Sequence, residues 1–165
     1  MKSSNRIKNI AYAAVIAAIY VVLTYVTNAF GLANGVVQCR LSEALCVLPA
    51  FTPSAIYGLF VGCMLSNILT GCILPDVVFG SVATLVGAVG TYFLAKHKSN
   101  TLLLPLPCIA ANTVIIPFVL KFAYGYSGGL LFFFVTVAAG EIISSGILGM
   151  ILYRNLSKSK LILFK

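Results

Sequence analysis

The sequence predicts an all-α membrane protein, a bundle of six transmembrane helices, and three observations carry that expectation. Hydrophobic residues make up 61% of the chain and charged residues only 8%, where a soluble domain carries about a quarter charged. So few charges cannot cover a water-facing surface, so lipid is the expected solvent. The apolar residues gather into successive runs that six crossings of roughly 20 residues would use up. Finally, the basic residues sit at the edges of those runs and between them.

The first run, residues 10–27, follows a short polar basic start. It is longer than a signal-peptide core and further runs follow, so it is expected to remain as the first span. A Gly- and Asn-containing loop then ends in Gln38-Cys39-Arg40-Leu41-Ser42-Glu43. The second apolar stretch, 41–52, is stopped by Pro53. As an ordinary helix it is too short to cross, so Arg40 and Glu43 are expected at or inside the outer membrane edge. The third span is expected over 55–70, broken at Gly71 and Pro75, and the fourth over 77–95. Lys96-His97-Lys98-Ser99-Asn100 reads as a solvated turn. The fifth span, 102–120, carries Pro105, Pro107 and Pro117, tolerated where neighbours re-satisfy the freed carbonyls. The sixth is expected over 130–152, before a basic, mildly amphipathic tail.

Six spans put both ends and the 96–100 turn on one side. That side holds Lys2, Arg6, Lys8, Lys96, Lys98, Arg154, Lys158, Lys160 and Lys165, nine of the eleven basic residues. The other side holds Arg40 and Lys121. By the positive-inside rule both termini are expected in the cytoplasm of a multi-pass cell-membrane protein. The net charge of +8 is explained by this asymmetry, and no nucleic-acid partner is expected, because no basic face runs along an exposed element. No inverted repeat is visible. Five cysteines lack Cys-x-x-Cys spacing and read as free, buried thiols, with a Cys39–Cys72 pair the one disulfide worth considering. No metal cluster, Walker A sequence or catalytic constellation is present, so neither an enzyme nor a cofactor is expected.

The chemistry rests on few residues. Glu43, Asp76 and Glu141 are the three carboxylates of the chain. Glu141 would lie roughly 16 Å into the last span at 1.5 Å per residue, where a carboxylate costs about 2.5–3.5 kcal/mol on insertion scales. Such groups turn into a bundle or cavity and mark a ligand site or pathway. Structural alternatives stand beside each: an interhelical hydrogen bond for Glu141, an i,i+3 pair with Arg40 for Glu43, and an N-terminal cap for Asp76. Asn67 and Asn112 could simply join helices. Together with Gln38 and Arg40 these side chains form a polar set biased toward the outer half, suited to a small-molecule pocket with apolar walls. In the first span Ala13, Ala14, Ala17 and Ala18 form two overlapping small-x-x-x-small rows, for internal packing or for docking of a separate subunit.

The stretches Ala14-Val-Ile-Ala-Ala-Ile-Tyr20, Gln38-Cys-Arg-Leu-Ser-Glu-Ala-Leu45, Asp76-Val-Val-Phe-Gly-Ser-Val-Ala-Thr84 and Gly140-Glu-Ile-Ile-Ser144 resemble the QueT family. The resemblance runs from the first span to the sixth, and the Gln-x-Arg-x-Ser-Glu-Ala-Leu block is its most specific part. It implies the substrate-binding S component of an energy-coupling factor (ECF) importer, linked to salvage of queuosine precursors. Such a subunit binds its ligand from outside. It would join a transmembrane coupling subunit and two cytoplasmic ATPase subunits, with Ala14 and Ala18, or the adjacent Ala13 and Ala17, at the docking contact. The Gln/Arg/Glu block maps onto Gln38, Arg40 and Glu43, with Cys39 where an aromatic residue is more usual. A deazaguanine ligand offers a ring N–H and an amine that one carboxylate can accept together. Glu141 and Glu43 are both candidates for that role. Arg40 or Gln38 would then donate to the carbonyl, and Asn112 or Asp76 would meet the five-membered ring. The alternatives are an S component for another vitamin-like ligand and a self-sufficient small secondary transporter.

Overall fold

The computed structural model describes residues 2–158 apart from Asn34 and Val37, with side chains from Asn5 onward. The architecture is all helical. Helix α1 (Lys2–Ala29) is followed by a ten-residue 3-10 helix (Leu41–Ala50), α2 (Ser54–Leu69), α3 (Leu74–Lys96) and α4 (Leu106–Phe118). Helix α5 (Leu130–Glu141) runs through a π-helical stretch, Ile142–Leu148, into α6 (Gly149–Lys158). Four stretches are long and apolar enough to cross a bilayer: Asn5–Ala29, Leu74–Lys96, Thr101–Ala123 and Leu130–Lys158. The outward faces carry large apolar side chains such as Phe30, Tyr57, Phe122 and Leu131. A water-soluble surface does not expose apolar groups on this scale. The molecule is therefore a multi-pass membrane protein.

Consecutive helices pack as neighbours, α1 on α2, α2 on α3, α3 on α4 and α4 on α5, with the 3-10 helix wedged among α1, α3 and α6. Because the chain alternates direction, the ends sort into two groups. The start of α1 (Arg6, Asn9) meets Pro53, Lys96 meets Ala50–Pro53, and the Tyr153 ring lies 5.1 Å from that of Phe51. The start of α1, the end of α3 and α6 thus share one end. The loop before Leu41, the start of α3 and the turn after α4 share the other. Lys160 and Lys165 of the basic tail lie outside the described residues.

The boundaries differ from the sequence reading in instructive ways. The basic start is helical from Lys2, and the last helix runs on to Lys158 rather than stopping near 152. The second stretch is not an α-helix. At about 2.0 Å per residue a 3-10 helix of ten residues reaches roughly 20 Å, against about 15 Å for an α-helix. Its three-residue period also stacks Glu43, Cys46 and Pro49 on one buried row. In α4 the ring of Pro117 cannot continue the hydrogen-bond ladder, and the helix widens into a π turn at Val119–Ala123.

Small residues set the closest approaches. A Cβ on Gly58 would stand 2.7 Å from the Ala13 carbonyl oxygen, and one on Gly62 would stand 3.1 Å from the Ala17 Cα. Gly58-x-x-x-Gly62 therefore receives the Ala13/Ala17 row of α1, as small residues do between membrane helices. Ala14 and Ala18 remain exposed on the opposite flank. Between α3 and α4 the same device recurs, with Gly87 against Cys108 and Gly90 against Pro107. This geometry predicts that Gly58→Leu lowers the thermal unfolding midpoint of the purified protein, by an overpacking cost of about 1–3 kcal/mol. Ala14→Leu is expected to leave the midpoint unchanged.

Candidate functional site

The site forms where the chain turns from the 30–40 loop into the 3-10 helix. Arg40 is buried there, at 7% exposure, and its guanidinium is used on three sides. Nε donates to the Ala33 carbonyl at 2.6 Å, and Nη1 donates to Asn67 Oδ1 at 3.0 Å. Nη2 lies 4.0 Å from Asp76 Oδ2. A buried guanidinium needs this enclosure, because an unpaired charge in a low-dielectric interior is strongly unfavourable. One side chain thereby ties the loop to α2 and α3.

Asn67 works as the brace of this arrangement. While accepting from Arg40 it donates to the Asp76 carbonyl at 3.3 Å, so it joins α2 to the first turn of α3. Asp76 is the third residue of α3, whose N-cap is the extended Ile73. The capping role is not what its carboxylate does: it faces Arg40 and accepts from the Tyr124 hydroxyl at 2.9 Å. Tyr124 lies beyond the π turn of α4. Burial first, and then the charge of Asp76, push its phenol pKa upward, which keeps it a proton donor. The turn after α4 is tied to the same network in this way.

Glu43 is 2% exposed. Its Oε1 accepts from the Tyr20 hydroxyl, and its Oε2 accepts from Cys46 Sγ at 3.0 Å. The expected i,i+3 relation to Arg40 survives as a backbone bond, Glu43 N–H to the Arg40 carbonyl at 3.1 Å. The carboxylate itself serves α1 and the row of Cys46. Thr24, one turn above Tyr20, adds a 2.8 Å bond to Ser42, so α1 and the 3-10 helix are laced by two side-chain pairs.

Gln38, Arg40, Glu43, Asn112 and Glu141 converge on one enclosed cavity, completed by Gly80, Thr84, Ile116 and Val137. Asn67 and Asp76 stand behind it, supporting Arg40. Its volume is about 10 Å³, room for about one water. Two polar atoms at its wall are buried without a protein partner, Asn112 Nδ2 and Glu141 Oε2. Glu141 closes α5 at the point where the helix passes into its π stretch, a distortion frequent at functional sites. One residue earlier, Gly140 faces the Gln38 carbonyl so closely that any Cβ would overlap the oxygen. The loop therefore rests on bare backbone of α5.

None of the five cysteines is in a disulfide, so Cys39 and Cys72 are unbridged, and His97 is exposed, its ring against the Phe93 carbonyl. Sequence reasoning missed Tyr20, Tyr124, Thr84 and the two glycines, Gly80 and Gly140. Tyr20 near the middle of the first span and the Gly58-x-x-x-Gly62 row were the available signals. Among the described residues no group of His, Cys, Asp and Glu could hold a metal ion.

The fold and the site define a multi-pass helical membrane protein with a small polar cavity near one end, walled by helices. A QueT transporter family model matches residues 10–158. The chain belongs to that family, a family of transporters and not of enzymes. It is 36% identical over 88 residues to the queuosine precursor transporter QueT of Lactococcus lactis subsp. cremoris (strain MG1363), a match covering 53% of this chain and 52% of that protein. The chain is thus matched along about half the length of that relative. No solved structure matches it.

The Tyr20–Glu43 contact predicts that Tyr20→Phe leaves a buried carboxylate oxygen without its donor. The expected loss is about 1–3 kcal/mol of stability, read as a lowered thermal midpoint without ligand. Tyr25→Phe, on an exposed face of the same helix, serves as the silent control.

Proposed function

We propose that the chain is the substrate-binding membrane subunit, the S component, of an ATP-driven ECF importer. It captures a queuosine precursor with a deazaguanine base from outside the cell. The observation that carries the reading is the closed cavity, where Gln38, Arg40, Glu43, Asn112 and Glu141 meet within apolar walls. The relative's name supplies the ligand class.

The topology that goes with this function has six crossings, the 3-10 helix and α2 being two short ones. At about 24 Å, α2 falls short of a roughly 30 Å hydrocarbon core, and the 3-10 helix is shorter still. The 3-10 helix is mostly buried among its neighbours, whereas α2 keeps an outward apolar face at Tyr57, Val61 and Leu65. The cavity opens toward the end that carries Arg40 and Lys121. The start of α1, the Lys96–Asn100 turn and α6 face the cytoplasm, where basic residues are retained.

Ligand access requires movement. A cavity of about 10 Å³ is far below the roughly 300 Å³ of a small-molecule pocket, so the structure corresponds to a closed state. Gly31 and Gly35, at φ +72° and +106°, supply left-handed backbone that other residues rarely adopt, and they flank the loop contacts made by Arg40. Opening lifts the Gln38–Arg40 segment from Gly140. Work on the ligand's path is then driven from the coupling subunit and ATPases. Ala14 and Ala18 provide the docking face, because the Ala13/Ala17 row is used inside the molecule against Gly58 and Gly62.

Equilibrium binding of labelled 7-deazaguanine to the purified, detergent-solubilised chain tests this reading, with guanine and riboflavin as competitors. Saturable sub-micromolar binding without any ATPase, poorly displaced by either competitor, is expected. Absence of binding by a folded sample removes the ligand assignment. Ala14→Leu combined with Ala18→Leu is expected to retain that binding while abolishing uptake in cells that supply the coupling module. Retained uptake would return the docking face to a lipid-facing role. Gly140→Ala, which props the loop away from α5, is expected to weaken binding by about tenfold or more, the scale on which small geometric errors act.

A further inference from the structure

The cavity has one pair of polar side chains, Asn112 and Glu141, that face each other and have no partner elsewhere in the fold. Gln38 Nε2 donates to the Gly35 carbonyl at 2.8 Å. The Arg40 guanidinium serves Ala33, Asn67 and Asp76. Both oxygens of Glu43 already accept hydrogen bonds, from Tyr20 and Cys46. What remains at the wall is Asn112 Nδ2, on a side chain only 5% exposed, and Glu141 Oε2. Asp76 Oδ1 is also unpartnered, but it lies behind Gly80, outside the lining of the cavity.

We propose that Asn112 and Glu141 together read the six-membered-ring edge of a guanine-type base, with Asn112 donating to the carbonyl and Glu141 accepting the ring N–H and the exocyclic amine. This rests on the functional reading above and deepens it, since it assigns which residues select the base. Such an edge presents an acceptor beside two donors, and a carboxamide N–H beside a carboxylate is its complement. A carboxylate accepting two parallel N–H donors makes strong, charge-assisted bonds. The two side chains come from adjacent elements, α4 and the end of α5, which pack directly on each other. The π stretch beginning at Ile142 is where the α5 backbone departs from regular geometry, next to the reading carboxylate.

The role of Glu43 follows by contrast. Its carboxylate anchors Tyr20 and shapes the floor of the cavity, so it contributes to the fold of the site more than to base choice. Discrimination by unpaired polar groups is steep, because an analogue that lacks a partner leaves a buried group unsatisfied.

The test pairs ligands with variants of the full chain, using calorimetric or fluorescence binding of 7-deazaguanine, of 7-deazahypoxanthine, which lacks the amine, and of 2-amino-7-deazapurine, which lacks both the carbonyl and the ring N–H. The native chain is expected to prefer 7-deazaguanine over 7-deazahypoxanthine by about tenfold or more. Glu141→Gln is expected to collapse that preference to within about threefold, and Glu43→Gln to retain it. Asn112→Ala independently is expected to narrow the preference over 2-amino-7-deazapurine without erasing it, since Glu141 still selects for the ring N–H, with thermal midpoints reporting that each variant is folded. A preference that survives in Glu141→Gln and is lost in Glu43→Gln overturns the proposal while leaving the importer reading intact. If the folded native chain binds none of the three bases, the ligand assignment itself fails and this inference falls with it.

Discussion

The burial of Arg40 is the constraint on which the rest of the site depends. A guanidinium at the membrane edge cannot stay there without acceptors on every side, and the fold brings one from each neighbouring element. The loop offers the Ala33 carbonyl, α2 offers Asn67 and α3 offers Asp76. Tyr124 extends the network to the turn after α4. The arrangement explains why the 3-10 helix starts where it does. It also explains why the short α2 is held firmly at this end of the molecule, since its Asn67 is the shared brace.

A second set of contacts links the cavity to the flank of α1. Tyr20 reaches Glu43 at the cavity wall, while one turn back Ala17 packs on Gly62 and Ala18 faces outward. A shift in the cavity floor therefore reaches α1 through one hydrogen bond and one rigid helix, with no intervening loop. Such contiguity is the physical requirement for coupling the cavity to the proposed docking face. Here it is met by a side chain that the polar cluster alone would not have suggested.

Much of this was legible in the sequence. Scarcity of charge made each carboxylate conspicuous, so Glu43 and Glu141 stood out as inward-facing groups, and the cavity indeed collects both. The block from Gln38 to Glu43 was recognisable as one unit, and it folds as one. Three features were not legible. Asp76 follows Pro75 as a cap would, yet whether a carboxylate turns back to its own helix or across to Arg40 depends on a partner nearly forty positions away. The Ala13/Ala17 and Ala14/Ala18 rows are equivalent in sequence, and the choice between them is made by Gly58 and Gly62 on another helix. The 3-10 geometry of Leu41–Ala50 follows from a tertiary demand, a buried row at every third residue, which local propensity does not encode.

The central claim is that the polar cavity between the Arg40 loop and the end of α5 is where the proposed ligand is held. A structure of the chain bound to a deazaguanine tests it most directly. The account predicts ligand density among Arg40, Glu43, Asn112 and Glu141, with the cavity of about 10 Å³ widened to admit the base. Ligand seated elsewhere, such as the apolar groove between Phe79 and Phe118 on the outer face, with this cavity unchanged, would contradict it.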